Sequence, residues 1–258
     1  MISIKTGREI DLMRRAGDIL ARCVLMLEQN VADGVVTSEL DRLAAEFMRK
    51  HNAIASFFGV PGMVDGAPGF PASVCVSVND EVIHGIPGGR RIKDGDIVSV
   101  DMGAIYMGYH SDMARTFCVG AVPEEAARLV RVTMESFYEG MLGAAPGNRI
   151  SDISRRVQAH AEAAGYSVVR DFVGHGIGTE MHEPPQIPNF VTRGERGARL
   201  AAGMTLAIEP MVNAGAPDID ILPNKWTVAT RDRSLSAHYE NTILVVADGQ
   251  AEILSAPA

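Results

Sequence analysis

Five short segments place an acidic or imidazole side chain in apolar or glycine-rich surroundings, where a charge is costly unless something pairs with it. Oxygen-rich ligands of this kind favour Mn, Fe, Co, Mg or Zn over copper-type sites. Carboxylates gathered in one cleft repel one another, and two divalent cations would offset that repulsion. The residue types therefore predict a hydrolytic site with two metal ions, and its candidate ligands are Asp101, Asp112, His175, Glu209 and Glu240.

Each candidate ligand also has a structural interpretation when it is taken alone. Asp101 would cap a turn, and Asp112 would pair with the nearby Arg115. His175 would be a hydrogen-bonded core histidine, and the two glutamates would be structural ion-pair partners. Structural networks also hold buried charges, so the metal-site hypothesis depends on the whole set and not on one segment.

Two more histidines lie in segments that suit catalysis. His84 follows a strand-like segment at a sharp turn, and His182 lies seven residues after His175. The contexts of the remaining histidines are weaker, and no role is assigned to His51, His110, His160 or His238.

The composition is that of an ordinary globular protein. The chain has 258 residues, of which 47% are hydrophobic and 22% are charged. Its net charge of −8 argues against sequence-independent binding to nucleic acid, which needs a basic surface. The three cysteines are far apart, which excludes a CxxC pair and a disulfide framework.

The N-terminal residues turn polar at once, without the apolar core of a signal peptide. No stretch approaches the roughly 20 uninterrupted apolar residues of a membrane span. We therefore expect a cytoplasmic protein, and with no heptads or long exposed apolar stripes we expect a monomer.

Hydrophobic periodicity predicts four helices, and alternation predicts several short strands. The helices are expected over about 6–30, 37–51, 123–142 and 151–164, with Thr37 and Ser38 as N-cap residues of the second. The strands are expected over about 74–78, 97–105, 113–119, 168–172 and 204–208, around Val228, and over 243–246.

A weak internal repeat relates the two halves of the chain. Ala32-Asp33-Gly34 before Ser38 resembles Ala145-Pro146-Gly147 before Ser151, at an offset of 113 residues. The chain is expected to form one α+β domain over 1–258, with pseudo-repeats roughly 6–120 and 121–250. An antiparallel-rich sheet flanked by helices would then carry a site in the cleft between the halves.

The motifs resemble, in this order and nearly from end to end, those of type I methionine aminopeptidases, which are M24-like metallopeptidases. They include the Val-Asp-Met-Gly of 100–103, the Ser-Asp-Met-Ala-Arg-Thr of 111–116 and the Gly-His-Gly-Ile-Gly of 174–178. The Ile-Glu-Pro of 208–210 and the Tyr-Glu-Asn-Thr of 239–242 follow. The resemblance implies the pita-bread fold, in which two pseudo-symmetric helix–helix–antiparallel-sheet halves surround a central cleft.

The resemblance also implies a role for each candidate ligand. Asp112 and Glu240 would bridge two divalent ions, Asp101 would bind one ion, and His175 and Glu209 would bind the other. The ions would be Co, Mn, Fe or Zn, and the ligand set does not decide among them.

The implied activity is removal of the initiator methionine from nascent chains when the second residue is small. Water activated by the two metals would attack the first peptide bond, with Glu209 as the proton shuttle. His182 would steady the developing oxyanion, and His84 would position the substrate. Nascent polypeptide N-termini are therefore the expected partners, and this function suggests a transient contact with the ribosome.

Four residues are expected to line the methionine pocket, where plain core packing is the competing interpretation: Cys75, Phe70, Met181 and Trp226. The loop 57–71 departs from the family pattern, with Val60-Pro61-Gly62-Met63-Val64-Asp65-Gly66 where tyrosine is expected. That departure leaves the shape of one pocket wall undecided.

Two other functions remain open on the sequence alone. A related pita-bread peptidase acting on Xaa-Pro bonds would carry a long N-terminal domain, whereas this chain begins almost at its first helix. A non-catalytic binding protein on the same scaffold would not need all five ligands and both histidines, and here all seven are present.

Overall fold

The computed structural model describes residues 2–62 and 64–256, and the four expected helices are present in this part of the chain. Their bounds are α1 Gly7–Glu28, α2 Thr37–Lys50, α3 Glu124–Met141 and α4 Ile150–Ala163. A capping box starts α1, because the Thr6 side chain accepts from the Glu9 backbone while the Glu9 carboxylate accepts from the Thr6 N–H.

The predicted cap of α2 is wrong. The N-cap residue is Val36, which makes no side-chain capping hydrogen bond, and Thr37 is the first helical residue. The Thr37 hydroxyl instead exchanges hydrogen bonds with the backbone of Gly88. It therefore ties the helix start to a distant loop.

Fifteen strands are present among the described residues. They are β1 Ile54–Ala55, β2 Cys75–Val78, β3 Glu81–Ile83, β4 Ile97–Tyr106, β5 Tyr109–Cys118, β6 Ser167–Val168, β7 Gly174–Gly176, β8 Glu183–Ile187, β9 Thr205–Ile208, β10 Met211–Asn213, β11 Ile219–Ile221, β12 Val228–Thr230, β13 Ser236–His238, β14 Glu240–Leu244 and β15 Glu252–Ile253.

The pairing of these strands is antiparallel throughout the described residues. The main sheet has the order β1-β4-β5-β14-β9-β7-β8, with β2 added on β4 and β15 on β14. Two smaller sheets follow the orders β13-β10-β6 and β11-β12-β3. The fold class is α+β, as predicted.

Two strands begin earlier than their hydrophobic patterns predict. The fifth strand begins at Tyr109 instead of 113, and β14 begins at Glu240 instead of 243. Asp112 and Glu240 thus lie inside paired strands, where their buried polar side chains hide the strand signal. In contrast, the segment 168–172 contributes only Ser167–Val168 to a strand.

Each pair of helices packs on its own group of strands. Leu20, Leu40 and Val100 are fully buried in a core that joins α1 and α2 to β2, β4 and β5. Phe137 and Leu206 are fully buried in a second core that joins α3 and α4 to β9 and its neighbours. Burial of these apolar side chains is the main stabilising contribution.

The internal offset of the sequence recurs in the helices. Both ends of α4 lie 113 residues after those of α2, and α3 ends 113 residues after α1. The single-domain boundary 1–258 stays a prediction, and its first and last residues lie outside the described residues. None of the helices in the described residues is long and apolar enough to cross a membrane.

Candidate active site

The register of the central hairpin brings two candidate ligands together. Asp101 of β4 is opposite Ala114 of β5, and Gly103 is opposite Asp112. Because side chains alternate along a strand, Asp101 and Asp112 are diagonal neighbours on one face of the sheet. Gly103 is needed here, since a Cβ at this position would come within 2.7 Å of the Ser56 Cβ.

The same alternation places the next two candidate ligands on that face. Glu240 of β14 is opposite Ala114, which shares the face of Asp112. His175 of β7 is opposite Ala207, and Ala207 is opposite Thr242 two positions after Glu240. Side chains opposite each other point to the same side of a sheet, so Glu240 and His175 join the two aspartates.

Glu209 occupies the link between β9 and β10. Ile208 is opposite Asn241 in the main sheet, and Met211 is opposite His238 in a small sheet. Two residues lie between these pairs on each strand. Glu209 is therefore opposite Glu240 in the gap between the main sheet and the small sheet. All five predicted ligands therefore share one face of the sheet.

The ligand atoms of this cluster are close together. One ligand atom each from Asp112, His175 and Glu240 lie within 4.8 Å of one another. The His175 Nε2 atom lies 3.8 Å from Asp112 Oδ2 and 3.7 Å from Glu209 Oε1. Asp101 lies close enough for its charge to raise the pKa of both Asp112 and Glu209.

The tautomer of His175 is fixed by the backbone. Its Nδ1 lies 2.9 Å from the Gly176 carbonyl oxygen, so Nδ1 carries the proton and donates it there. The Nε2 lone pair then faces the carboxylates, as in histidines that bind a metal and donate their other ring N–H to a fixed acceptor. Burial lowers the pKa of His175 to about 3, which keeps this lone pair free at neutral pH.

Burial and mutual repulsion perturb the carboxylates in the opposite direction. The pKa values of Asp112, Glu209 and Glu240 are all well above their usual range, first because of burial and then because of the neighbouring acids. The pKa of Asp101 is raised to about 7 by burial. Without a cation the cluster therefore retains protons near neutral pH.

Arg115 does not pair with Asp112, which corrects the structural alternative for that aspartate. Its guanidinium donates to the carbonyl oxygens of Ala114 and Glu240 and to Asn241 Oδ1. It also lies 4.0 Å from the centre of the Tyr239 ring. Likewise, no lysine or arginine salt bridge reaches the two glutamates within residues 2–62 and 64–256.

The donor set fits a divalent cation. Asp101 Oδ1 and Glu240 Oε1 are buried without a hydrogen-bond partner, and each such atom carries a desolvation cost. The set consists of four acids and one oriented imidazole lone pair. Among the described residues, no lysine or arginine forms a salt bridge with these acids. Ions of charge +2 would therefore neutralise the carboxylates.

A cavity of about 540 Å³ opens above this face of the sheet. All six residues expected to bind substrate lie on its wall: His84, His182, Cys75, Trp226, Phe70 and Met181. Phe70 and Trp226 meet edge to face with ring centres 5.0 Å apart, and Cys75 belongs to the same apolar cluster. Burial raises the pKa of the Cys75 thiol, so it serves as apolar surface.

The two candidate catalytic histidines approach the cluster from different sides. His84 has a positive φ of 57°, which the Gly85 turn accommodates, and its ring lies edge-on to Trp226. Burial of the ring and the nearby His182 lower the pKa of His84 to about 4. His182 is exposed, and its ring centre lies 4.4 Å from that of His175.

The unusual loop 57–71 forms one side of the cavity. Phe57, Val60 and Pro61 line it, and two backbone hydrogen bonds close the loop: the Phe70 N–H donates to the Val60 carbonyl oxygen, and the Gly59 N–H donates to the Phe70 carbonyl oxygen. These residues replace the expected tyrosine with apolar surface. Met63, part of the departure noted in the sequence, lies outside the described residues.

Sequence reasoning missed two features of this site. Phe172 forms cavity wall, where its ring lies 5.5 Å from that of His84. His238 is buried beside Glu209, with 3.8 Å between Nε2 and Glu209 Oε2. The available signal was its position two residues before Glu240, which puts both side chains on one face of an extended segment.

A family model described as metallopeptidase family M24 matches residues 11–247. The chain belongs to this family. It is 53% identical over 255 residues to a methionine aminopeptidase of Clostridium perfringens, covering 99% of each chain. It is 47% identical over 249 residues to methionine aminopeptidase 1 of Bacillus subtilis, covering 96% of this chain and 97% of that protein.

Solved structures of this family have the same fold. The chain matches a methionine aminopeptidase from Thermotoga maritima with a TM-score of 0.93 and 42% identity, over 99% of this chain and 100% of that one. A prolidase from Pyrococcus furiosus matches at a TM-score of 0.75 with 23% identity, over 65% of its length, and shows the fold alone. The predicted resemblance and the pita-bread fold are confirmed.

Proposed function

We propose that this chain is a metal-dependent aminopeptidase that removes the N-terminal methionine from polypeptides whose second residue is small. The observation that carries the proposal is the cluster of four carboxylates and one oriented imidazole on a single sheet face, at the base of a cavity with an apolar wall. Full-length similarity to methionine aminopeptidases supports the choice of substrate.

Asp101, Asp112, His175, Glu209 and Glu240 would hold two divalent metal ions. Bound there, the ions would supply Lewis-acid activation of the peptide carbonyl and of water. Asp112 and Glu240 have central positions in this set, since their strands β5 and β14 adjoin each other in the sheet. The number of ions is part of the proposal.

Glu209 is the proposed proton shuttle. Its Oε1 faces His175 and its Oε2 faces His238, so the carboxylate lies between the ligand cluster and a second imidazole. A carboxylate whose pKa is raised by burial binds a proton readily and releases it again. Glu209 would take the proton lost by the attacking water and pass it to the leaving amine.

The two cavity histidines would act on the substrate directly. His182, at the exposed side of the cluster, would donate a hydrogen bond to the carbonyl oxygen as negative charge develops on it. His84 is held by its turn between Phe172 and Trp226, and it would orient the peptide beside the scissile bond.

The apolar wall would select the methionine side chain. Phe70, Cys75 and Trp226 pack into one cluster, and Trp226 is fixed by its Nε1–H donated to the Pro68 carbonyl oxygen. An unbranched thioether fills such a pocket well, with favourable contacts between sulfur and ring edges. Met181 would close the pocket from the side of Gly103.

The proposed partners are nascent polypeptide N-termini, with a transient contact at the ribosome. We propose a monomer in the cytoplasm, where such chains emerge. The three cysteines Cys23, Cys75 and Cys118 are unpaired, which suits a reducing compartment.

Competition between peptides tests the proposed specificity. The metal-loaded protein is expected to release methionine from Met-Ala-Ser and to leave N-acetyl-Met-Ala-Ser intact, because the free amine is part of the recognised group. An Ala-Pro peptide should be a much poorer substrate. Preferential cleavage of Ala-Pro would contradict the methionine assignment, and cleavage of the acetylated peptide would contradict the exopeptidase assignment.

A further inference from the structure

His238 is the most deeply buried histidine with unmet hydrogen-bonding capacity in the described chain. It ends β13, its exposed fraction is 1%, and neither Nδ1 nor Nε2 has a hydrogen-bond partner. A neutral imidazole has one N–H donor and one lone pair, and leaving them unpaired in the interior is costly. A buried imidazole with two orphan nitrogens requires an explanation.

Topology places this ring on the face of the candidate metal ligands. His238 and Glu240 are two residues apart in a segment that runs opposite Met211 and Glu209. Alternation therefore puts His238 diagonal to Glu209 on the same side. The backbone supports this arrangement, because the Tyr239 N–H donates to the Pro210 carbonyl oxygen between the two pairs.

The carboxylate of Glu209 lies between two imidazoles. Its Oε1 is 3.7 Å from His175 Nε2, and its Oε2 is 3.8 Å from His238 Nε2. The ring of His175 presents a lone pair, because its proton is on Nδ1. His238 is free to present a proton, which makes the two histidines chemically different partners of the same acid.

No nearby donor competes for that oxygen in the described structure. Besides Glu209, two charged or titratable groups lie close enough to lower the pKa of His238: His84 and Arg115. The guanidinium of Arg115 is engaged with Ala114, Glu240 and Asn241. Glu209 Oε2 is therefore the acceptor that lies within reach of the His238 N–H.

We propose that His238 is a positioning residue that donates its Nε2–H to Glu209 Oε2 and so orients the carboxylate in the metal-loaded protein. The inference deepens the proposed function and rests on its metal site. An approach of about 1 Å converts the observed separation into a hydrogen bond of ordinary length. Such contacts to ligating carboxylates typically contribute about 10–100-fold to metal affinity or activity.

Two substitutions separate a positioning role from a packing role. In His238→Leu the donor is lost, while in His238→Gln a side-chain N–H remains to reach Glu209. Calorimetric titration with Mn²⁺ is expected to show affinity about 10–100-fold weaker in the leucine variant and close to wild type in the glutamine variant. Equal affinity in all three proteins, or equal losses in the two variants, would overturn the proposal.

A control on the same strand corrects for general disturbance of β13. Ser236 is buried two residues away, and its hydroxyl donates to Asn213 Oδ1 and not to one of the candidate ligands. In Ser236→Ala the metal affinity should stay near wild type. A loss equal to that of His238→Leu would mean that the strand and not the imidazole is responsible, and would overturn the proposal.

A spectroscopic measurement covers the case in which the leucine variant does not fold. ¹⁵N NMR of the wild-type protein loaded with Zn²⁺ is expected to show His238 protonated at Nε2, with the signal identified by its loss in His238→Gln. A ring protonated at Nδ1 would contradict donation to Glu209. Wild-type protein that binds no divalent metal would refute the proposed function, whereas metal-binding, active wild type with an unaffected leucine variant would refute this inference alone.

Discussion

The acids of the candidate site oppose folding whenever they are ionised without a cation. Burial raises the pKa of Asp101 to about 7, and burial together with neighbouring acids raises the pKa values of Asp112, Glu209 and Glu240 well above their usual range. A carboxyl whose pKa is higher in the folded state binds more protons there than in the unfolded chain. Its contribution to stability therefore falls as the pH rises between the two pKa values.

The variant Asp101→Asn should show this effect in the metal-free protein. Asparagine does not ionise, so the variant avoids this loss of stability. The free energy of unfolding of the variant, relative to that of wild type, should rise by roughly 1–4 kcal/mol between pH 4 and pH 8. Urea unfolding in EDTA at both pH values measures the difference. Parallel pH dependences for the two proteins would show that Asp101 is not held in a high-pKa environment.

Glu209→Gln should abolish turnover. The amide cannot take a proton from water and carries no ligand charge, so kcat should fall by at least about 10²–10⁴-fold. The rate of methionine release from Met-Ala-Ser measures the loss. The matched control is Glu46→Gln on α2, where the partly exposed acid pairs with Arg42 on the helix surface, and this variant should keep its activity.

Full activity in Glu209→Gln would refute the proton-shuttle role. The sequence was sufficient to single out the acids that the structure gathers on one face of the sheet, because acids inside apolar segments are costly without a partner. It was not sufficient for His238, whose significance depends on a register formed by strands far apart in the chain.

Among the elements, the turn after β3 has a strict steric requirement. His84 has a left-handed conformation there, and the next residue, Gly85, packs directly on the backbone of β2. A Cβ at Gly85 would overlap the carbonyl oxygen of Val76, and the Val76 N–H donates a hydrogen bond to the Gly85 carbonyl oxygen. The turn thus fixes the position of the His84 ring.

Gly85→Ala should destabilise the protein and displace His84. Forced separation of two backbones costs about 1–3 kcal/mol or more, measurable as a lower free energy of unfolding in urea. Methionine release should weaken as well. Gly89→Ala is the control, because a Cβ there meets no atom within 4 Å.

If the two alanine variants were equally stable, the close packing at Gly85 would be wrong.

Helix bounds were predictable to within a few residues, because amphipathic periodicity extends over several turns. The short strands such as β10 and β13 were not, since three residues carry no readable alternation. In β5 and β14, buried polar residues interrupted the pattern that marks a strand.

At the scale of the whole molecule, the candidate site joins the two halves of the chain. Asp101 and Asp112 come from the first half, and His175, Glu209 and Glu240 come from the second. The β5–β14 pairing is the seam between them in the main sheet. A cation bound by both groups would therefore stabilise the complete fold.

Metal binding should raise global stability. At a free Mn²⁺ concentration of 100 times Kd, the free energy of unfolding should rise by about 2.7 kcal/mol at pH 7.5, and EDTA should reverse the gain. Thermal unfolding followed by circular dichroism measures it. A transition unaffected by Mn²⁺ would contradict a site that links the halves.

The α+β architecture was predictable from the repeat and from the family resemblance, and the 113-residue offset of the helices agrees with it. The order of strands in the sheet was not predictable from local patterns. Pairs such as β5 with β14 join residues more than 120 positions apart, and such pairing is set by tertiary packing.

The most direct test of the account is methionine release from Met-Ala-Ser by metal-stripped protein, before and after addition of Mn²⁺. Wild type should release methionine only after Mn²⁺ is added, and Asp112→Asn, which loses a central candidate ligand, should stay nearly inactive under both conditions. Release that does not depend on metal, or equal release by the two proteins with Mn²⁺, would contradict a catalytic metal site on this face of the sheet.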